Sequence, residues 1–273
     1  MQDKIFALEK KAKWVRRQVL EMIVSAGKGH IGGAFSCADI LVALYYGGVL
    51  RFNPADKYWP HRDRFILSKG HSAAALYAIL ADLGYFPLSE LKNYQKQSSI
   101  LRGHPDRKIP GIEADTGSLG HGLGIAAGVA LGAKMDDKDF MAFALLGDGE
   151  CCEGSVWEAA MFANQHKLNN LIAIVDKNGL CVTDFLKNCL DLEPLDQKWA
   201  ACGWDVMVIN GHSFKQLLAV FQSIRSKNSS KPVAVIADTV KGKGVSFMEN
   251  NPLWHHSVPC GEDLARAREE LEL

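Results

Sequence analysis

Four apolar runs of strand length mark the second half of the chain: "FMAFALLGD" (140–148), "LIAIVD" (171–176), "DVMVIN" (205–210) and "VAVIAD" (233–238). Their hydrophobicity is continuous rather than alternating, which predicts strands buried on both faces. Segments with helical spacing separate them: "SVWEAAMFANQH", "LDQKWAACG" and "FKQLLAVFQSIRS". Near the N-terminus, Ile5, Leu8, Ala12, Val15, Val19, Met22 and Ile23 keep helical spacing, so residues 4–26 should form an amphipathic helix that the "GKGH" turn stops. "ADILVALYYGGVL" and "SAAALYAILADLGY" read as two more buried helices, and "GEDLARAREELEL" as a short charged helix for the surface or for a partner. This alternation predicts an α/β fold, a parallel β-sheet covered by helices on both faces. No repeat or low-complexity linker divides the 273 residues, which read as a single domain over 1–273.

The 31 basic and 31 acidic residues cancel. With no basic stripe carrying interleaved aromatics, nucleic acid is disfavoured as a partner. No apolar run approaches the roughly 20 residues of a membrane helix, and the opening "MQDKIFALEKKAKWVRRQVLEMI" is a charged amphipathic helix, not a signal peptide. Seven cysteines form no CxxC pair and no regular framework, as expected of reduced thiols in a cytoplasmic protein.

Two of the strand-like runs end in polar signatures, "GDG" at 147–149 and "DKNG" at 176–179. In a right-handed βαβ unit both strands end at the same edge of the sheet, about 5 Å apart, so Asp148 and Asn178 should converge. Ligands of open α/β sheets bind in the crevice outside those ends. A carboxylate, a side-chain amide and a backbone carbonyl, that of Leu180, make a partial oxygen shell suited to Mg²⁺, whose other positions phosphate oxygens and water commonly fill. Gly147 and Gly149 allow a phosphate close to the backbone, and the following helix offers its N-terminal amides. A lone "GDG" is as often a plain turn; the matched "DKNG" turns the reading toward a ligand site.

Five of the nine histidines directly follow glycine, at 30, 71, 104, 121 and 212. Singly, each is as well read as a solvated loop residue. "GDG" followed by "DKNG" resembles the thiamine diphosphate motif of transketolases, pyruvate decarboxylases and 2-oxo-acid dehydrogenases. The strings "AGKGHIGGAFSCADILVALYYGGVLRFNP", "RDRFILSKGHSAAALYAIL", "GHPDRKIPGIEADTGSLGHGLGIAAGVALGAK" and "DTVKGKGVSFMENNPLWHH" resemble, in chain order, those of transketolases. The resemblance is to the N-terminal, diphosphate-binding portion of that family and covers nearly the whole chain.

That resemblance implies Mg²⁺ held by Asp148, the Asn178 side chain and the Leu180 carbonyl. It places thiamine diphosphate against His71, Gly117, Leu119, Gly120, Gly147, Gly149, Asn178 and His255. Catalytic roles would fall to His30, His71, His104 and His255, with His256 the alternative to its neighbour. Ser118 and His121 stand where many family members have proline and glutamine. Glu153 and Glu158 are either helix-start acids complementing the dipole or, by resemblance, interface acids coupling two active sites. "KGKG" at 241–244 is either a phosphate contact or a flexible exposed loop. The resemblance stops where the family's second domain begins. A C-terminal transketolase subunit carrying the pyrimidine-binding domain is therefore expected as partner, in an α2β2 assembly. The implied function is a transferase that moves a two-carbon ketol unit from a ketose, as a sugar or sugar phosphate, to an aldose. Other readings are a 2-oxo-acid dehydrogenase alpha chain, a deoxyxylulose-phosphate synthase fragment, or a non-catalytic regulatory subunit.

Overall fold

The N-terminal apolar repeat forms α1 (Gln2–Ala26) and buries Leu8, Ala12, Val15, Val19, Met22 and Ile23. It ends at Gly27, whose φ of +65° is the left-handed stop that glycine adopts without a Cβ penalty. The computed structural model describes residues 2–226 and 229–272. After α1 come α2 (Ile31–Ser36), α3 (Ala38–Tyr46), β1 (Arg64–Leu67), α4 (Ala73–Asp82), α5 (Gly122–Met135), β2 (Ala142–Gly147), α6 (Gly154–Gln165) and β3 (Leu171–Lys177). A small hairpin, β4 (Leu180–Cys181) and β5 (Asp184–Phe185), leads to α7 (Leu186–Cys189) and α8 (Leu195–Ala201). The remaining elements are β6 (Asp205–Asn210), α9 (Phe214–Ser226), β7 (Val233–Asp238) and α10 (Gly261–Glu270).

Among the described residues the main sheet runs β1-β2-β3-β7-β6, with every neighbouring pair parallel. Successive side chains alternate between two cores. Phe143, Leu145, Ile172, Ile174 and Val235 face the core built by α1 to α4 and α9. Ala144, Leu146, Ala173, Val175 and Ile236 face the one built by α5, α6 and α8. Two buried faces explain the continuous apolar runs, since each large side chain taken out of water contributes about 1.5–3 kcal/mol.

Three elements depart from the sequence expectation. The four-residue strand β1 is not foreshadowed, because its apolar core "FIL" is shorter than the other runs and flanked by charge. β6 is not buried on both faces: β7 inserts between it and β3, leaving β6 at the edge with Val208 54% exposed. The glycine-rich α5 is a helix despite low propensity, because Leu123, Ala126, Ala127, Ala130 and Ala133 pack into the second core. The charged α10 lies on its own chain. Arg268 makes a bidentate pair with Glu21 of α1 at 2.8 Å, and Leu271 is 1% exposed.

Candidate active site

All five strands of the main sheet point the same way, so the loops after β1, β2, β3 and β7 collect at one edge. Asp148 follows β2, and its backbone N–H donates to the Asp176 carbonyl of β3 at 3.3 Å. Its carboxylate accepts from Gly179 N at 2.6 Å and from Gly149 N at 2.9 Å, which ties the two signatures together. Asn178 Oδ1 accepts from Leu180 N at 3.2 Å while Nδ2 donates to Ser36 Oγ at 3.3 Å, fixing the side-chain amide. Asp148 is 1% exposed. Burial pushes its carboxyl up to about 6, and the Asp176 carboxylate adds to the shift.

A cleft of about 230 Å³ opens at this edge, with His30, His71, His104, Gly117, Leu119, Gly147, Asp148, Gly149, Asn178, Leu180 and His255 in its lining. The sequence had singled out each of these. The imidazoles form a cluster around His30, whose ring centroid lies 5.3 Å from His71, 6.2 Å from His104, 5.2 Å from His255 and 4.5 Å from His256. Gly33 permits this packing, since a Cβ there would stand 3.0 Å from His71 Nε2. Gly120 does not line the cleft. It sits behind it at a φ of +84°, where a Cβ would meet Glu153 Cβ at 2.6 Å. His121 and His212 are also absent from the lining.

Burial lowers His30 to about 4, helped by the neighbouring His256 and His104 imidazoles. It lowers His255 to about 3, with the Lys241 charge second. Both rings are therefore neutral near pH 7, able to accept or donate a hydroxyl proton without carrying charge. The sign of the stability linkage follows. Between these values and about 6.5 the unfolded chain binds more protons, so stability falls as the pH drops through that window, and below it, where both states are protonated, the contribution levels off. Urea midpoints of the wild-type chain should fall from pH 6.5 to pH 4, and the decline should be shallower for His30→Asn and His255→Asn. Parallel declines in all three proteins would contradict neutral buried imidazoles.

Several cleft residues carried no assigned role. Lys69 is 1% exposed and ion-paired with Asp176, which also accepts from Ser36 Oγ and Thr239 Oγ1. Burial works against both charges, yet each partner outweighs it: Lys69 is raised and Asp176 lowered. Lys69 Nζ also donates to Gly33 O at 3.2 Å. The only sequence signal was its place beside the second Gly-His. Glu150, 2% exposed, accepts from Gly120 N at 2.9 Å, Gly147 N at 3.1 Å and Ser68 Oγ, clamping the 116–121 loop to the end of β2. The "KGKG" stretch is no exposed loop at its first lysine. Lys241 is 3% exposed, lines the cleft and donates to Val182 O at 3.1 Å. Burial brings its ammonium down to about 8, with Lys69 adding to the effect. Glu153, at the N-cap of α6, and Glu158 within it are exposed.

Residues 8–273 match the model of the family described as transketolase, thiamine diphosphate binding domain. The chain belongs to this transketolase family. It is 42% identical over 264 residues to one named subunit of the apulose-4-phosphate transketolase of Phocaeicola vulgatus, covering 97% of this chain and 93% of that protein. It is 45% identical to the protein of the same name from Actinobacillus succinogenes, covering 97% of this chain and 96% of that one. The fold matches the crystal structure of the Campylobacter jejuni transketolase with a TM-score of 0.91 at 32% identity. That match covers 97% of this chain and 43% of the other, so the chain spans less than half of the solved transketolase while running nearly the full length of the two apulose-4-phosphate relatives. Thiamine diphosphate binding is the property by which that family is described. Among the described residues no helix is long and apolar enough to cross a membrane.

Proposed function

We propose that this chain is one domain and one subunit of a split transketolase, binding thiamine diphosphate and Mg²⁺ and moving a two-carbon ketol unit from a ketose to an aldose once a pyrimidine-binding subunit is present. The observation that carries this reading is the cleft itself, where an oxygen-donor corner and a neutral imidazole cluster share one space. The corner suits Mg²⁺ by its chemistry. Asp148 is a buried carboxylate whose charge lacks full compensation, Asn178 is a fixed amide, and the Leu180 carbonyl is at hand; a hard cation takes such donors. Among the described residues no group of three His, Cys, Asp or Glu could hold a metal.

The diphosphate would lie against Gly147, Gly149 and Asn178, with Lys69 and Lys241 supplying positive charge. Bound thiamine diphosphate supplies the electron sink for carbon–carbon cleavage. This chain's residues position and protonate. His30, His104 and His255 face the space where sugar hydroxyls would lie, and His255 Nδ1 is buried with no hydrogen-bond partner, as expected of a group awaiting a ligand. Two relatives are named for apulose 4-phosphate, which supports a phosphorylated sugar as one substrate.

An unpartnered helix face supports the partner subunit. Ile125 on α5 and Met161 and Phe162 on α6 are 38%, 55% and 40% exposed, beside Gly128 and Gly132, where an added Cβ would touch nothing. Such a face suits close helix packing against another chain, and Glu153 stands at the N-cap of the same α6 that carries Glu158. An α2β2 assembly would cover it. The seven free thiols fit a reducing cytoplasm.

Ketol transfer from xylulose 5-phosphate to ribose 5-phosphate, with Mg²⁺ and thiamine diphosphate, should be absent from the chain alone and appear when a pyrimidine-domain subunit is added. Full activity of the chain by itself would overturn the split reading. Cofactor binding by the mixture with decarboxylation of a 2-oxo acid in place of ketol transfer would overturn the reaction.

A further inference from the structure

Two Gly-His pairs have no place in the cleft lining, those of His121 and His212, and the second makes buried contacts of its own. His212 follows Gly211 at the end of β6, with its side chain 14% exposed. Its Nε2 accepts from the backbone N–H of Val240 at 2.8 Å. A backbone amide only donates, so Nε2 carries the lone pair and the ring proton sits on Nδ1. That proton is donated to Asp39 Oδ2 at 2.6 Å. Asp39, 5% exposed, is itself gripped by Arg16 of α1, whose guanidinium bonds its two oxygens at 3.1 and 2.6 Å and also donates to Phe35 O at 3.0 Å. A buried chain of fixed groups from α1 and α3 thus ends on a single amide of the segment after β7.

That segment matters because of what it delivers. Residues 239–256 contain no regular element beyond a short helical turn at Pro252–Trp254, yet they bring Lys241 and His255 into the cleft. Without a ladder of its own, the segment is placed by Val245 and Met248, both buried in the first core, and by point contacts. Gly242 N donates to Gly32 O at 3.1 Å, Asn250 N to Lys241 O at 2.9 Å, and Val240 N, immediately before Lys241, to His212.

We propose that His212 is a positioning residue, which through Val240 holds the 239–256 segment, and with it Lys241 and His255, against the cleft. The catalytic part of this proposal rests on the transketolase reading; the structural part does not.

Two substitutions separate the two bonds. In His212→Asn the amide nitrogen can replace Nδ1 toward Asp39, but nothing reaches Val240. In His212→Gln the longer side chain can return an acceptor to Val240. Amide hydrogen exchange is measured on each chain well below its melting temperature. Exchange across 240–251 should accelerate about tenfold in the asparagine variant and stay within about threefold of wild type in the glutamine variant, the loss of one hydrogen bond. Exchange in β7 should be unchanged in both. In the assembly with the pyrimidine-domain subunit, turnover should fall with His212→Asn and recover with His212→Gln. His212→Phe, which keeps the ring volume and makes neither bond, replaces the asparagine variant if that one does not fold. Equal exchange in the two variants overturns the proposal, and so does a loosened segment with wild-type turnover. If the wild-type assembly transfers no ketol unit, the functional reading fails, while the exchange comparison still decides whether His212 holds the segment.

Discussion

Replacing Asp148 by alanine is expected to abolish Mg²⁺-dependent binding of thiamine diphosphate. The carboxylate is the one anionic donor of the proposed metal site, and it also accepts the Gly179 and Gly149 amides that set the spacing of the two loops. Removing it takes away both the charge that attracts the cation and the tie that holds Asn178 and Leu180 in place. Titration calorimetry of the assembled protein is the measurement. Heat from thiamine diphosphate in Mg²⁺ should disappear in Asp148→Ala and be weakened in Asp148→Asn, which keeps the shape without the charge. Binding retained in the alanine variant would sink the metal assignment and leave the cleft's cofactor held by Lys69, Lys241 and the glycine backbone alone.

Breaking the Lys69–Asp176 pair is expected to produce the largest loss of stability. Both side chains are almost wholly buried, and Asp176 draws Ser36 and Thr239 into the same network. Asp176→Leu leaves an ammonium in the interior without its counter-ion, a change that costs roughly 3–5 kcal/mol against a total stability of about 5–15 kcal/mol. For a chain of this size each kcal/mol moves the melting temperature by roughly 2–4 °C, so a fall of ten degrees or so is within reach of calorimetry. The double variant Lys69→Met with Asp176→Leu removes both charges and should recover most of that loss, because neither charge is then stranded. A single variant that melts within a degree of wild type would refute the pairing. Recovery of stability in the double variant should not restore cofactor binding, since Lys69 also lines the cleft.

Much of the architecture was legible because it is local. The apolar runs at 140–148, 171–176 and 233–238 lie in central strands with both faces covered, and continuous hydrophobicity is what such burial demands. "DVMVIN" carries the same pattern yet is not central, since an edge strand is distinguished by what lies beyond it and not by its own composition. The strand at Arg64–Leu67 and the helix at Gly122–Met135 escaped for a related reason. Each is held by its neighbours more than by its own propensity.

The candidate site divides in the same way. Asp148 and Asn178 were readable because a βαβ unit brings successive strand ends to one edge, so two short motifs suffice to place them together. The four histidines in the cleft were readable as a group through their strings. Lys69 and Asp176 were not, although both stand within readable motifs, because their pairing joins positions 107 residues apart. Lys241 could be read as a phosphate contact or as part of an exposed glycine loop; the loop folds inward and leaves it at 3% exposure. Glu150 had no sequence role at all and turns out to accept from the Gly120 amide. By itself the sequence determined most of the strand and helix order, the meeting of Asp148 and Asn178 at one sheet edge and the gathering of His30, His71, His104 and His255, because these follow from periodicity and from motifs that each occupy a few consecutive residues. Which lysines are buried, which groups each one meets and which amide His212 accepts from were decided by the tertiary structure alone, because burial and pairing depend on segments that the chain brings together only when it folds.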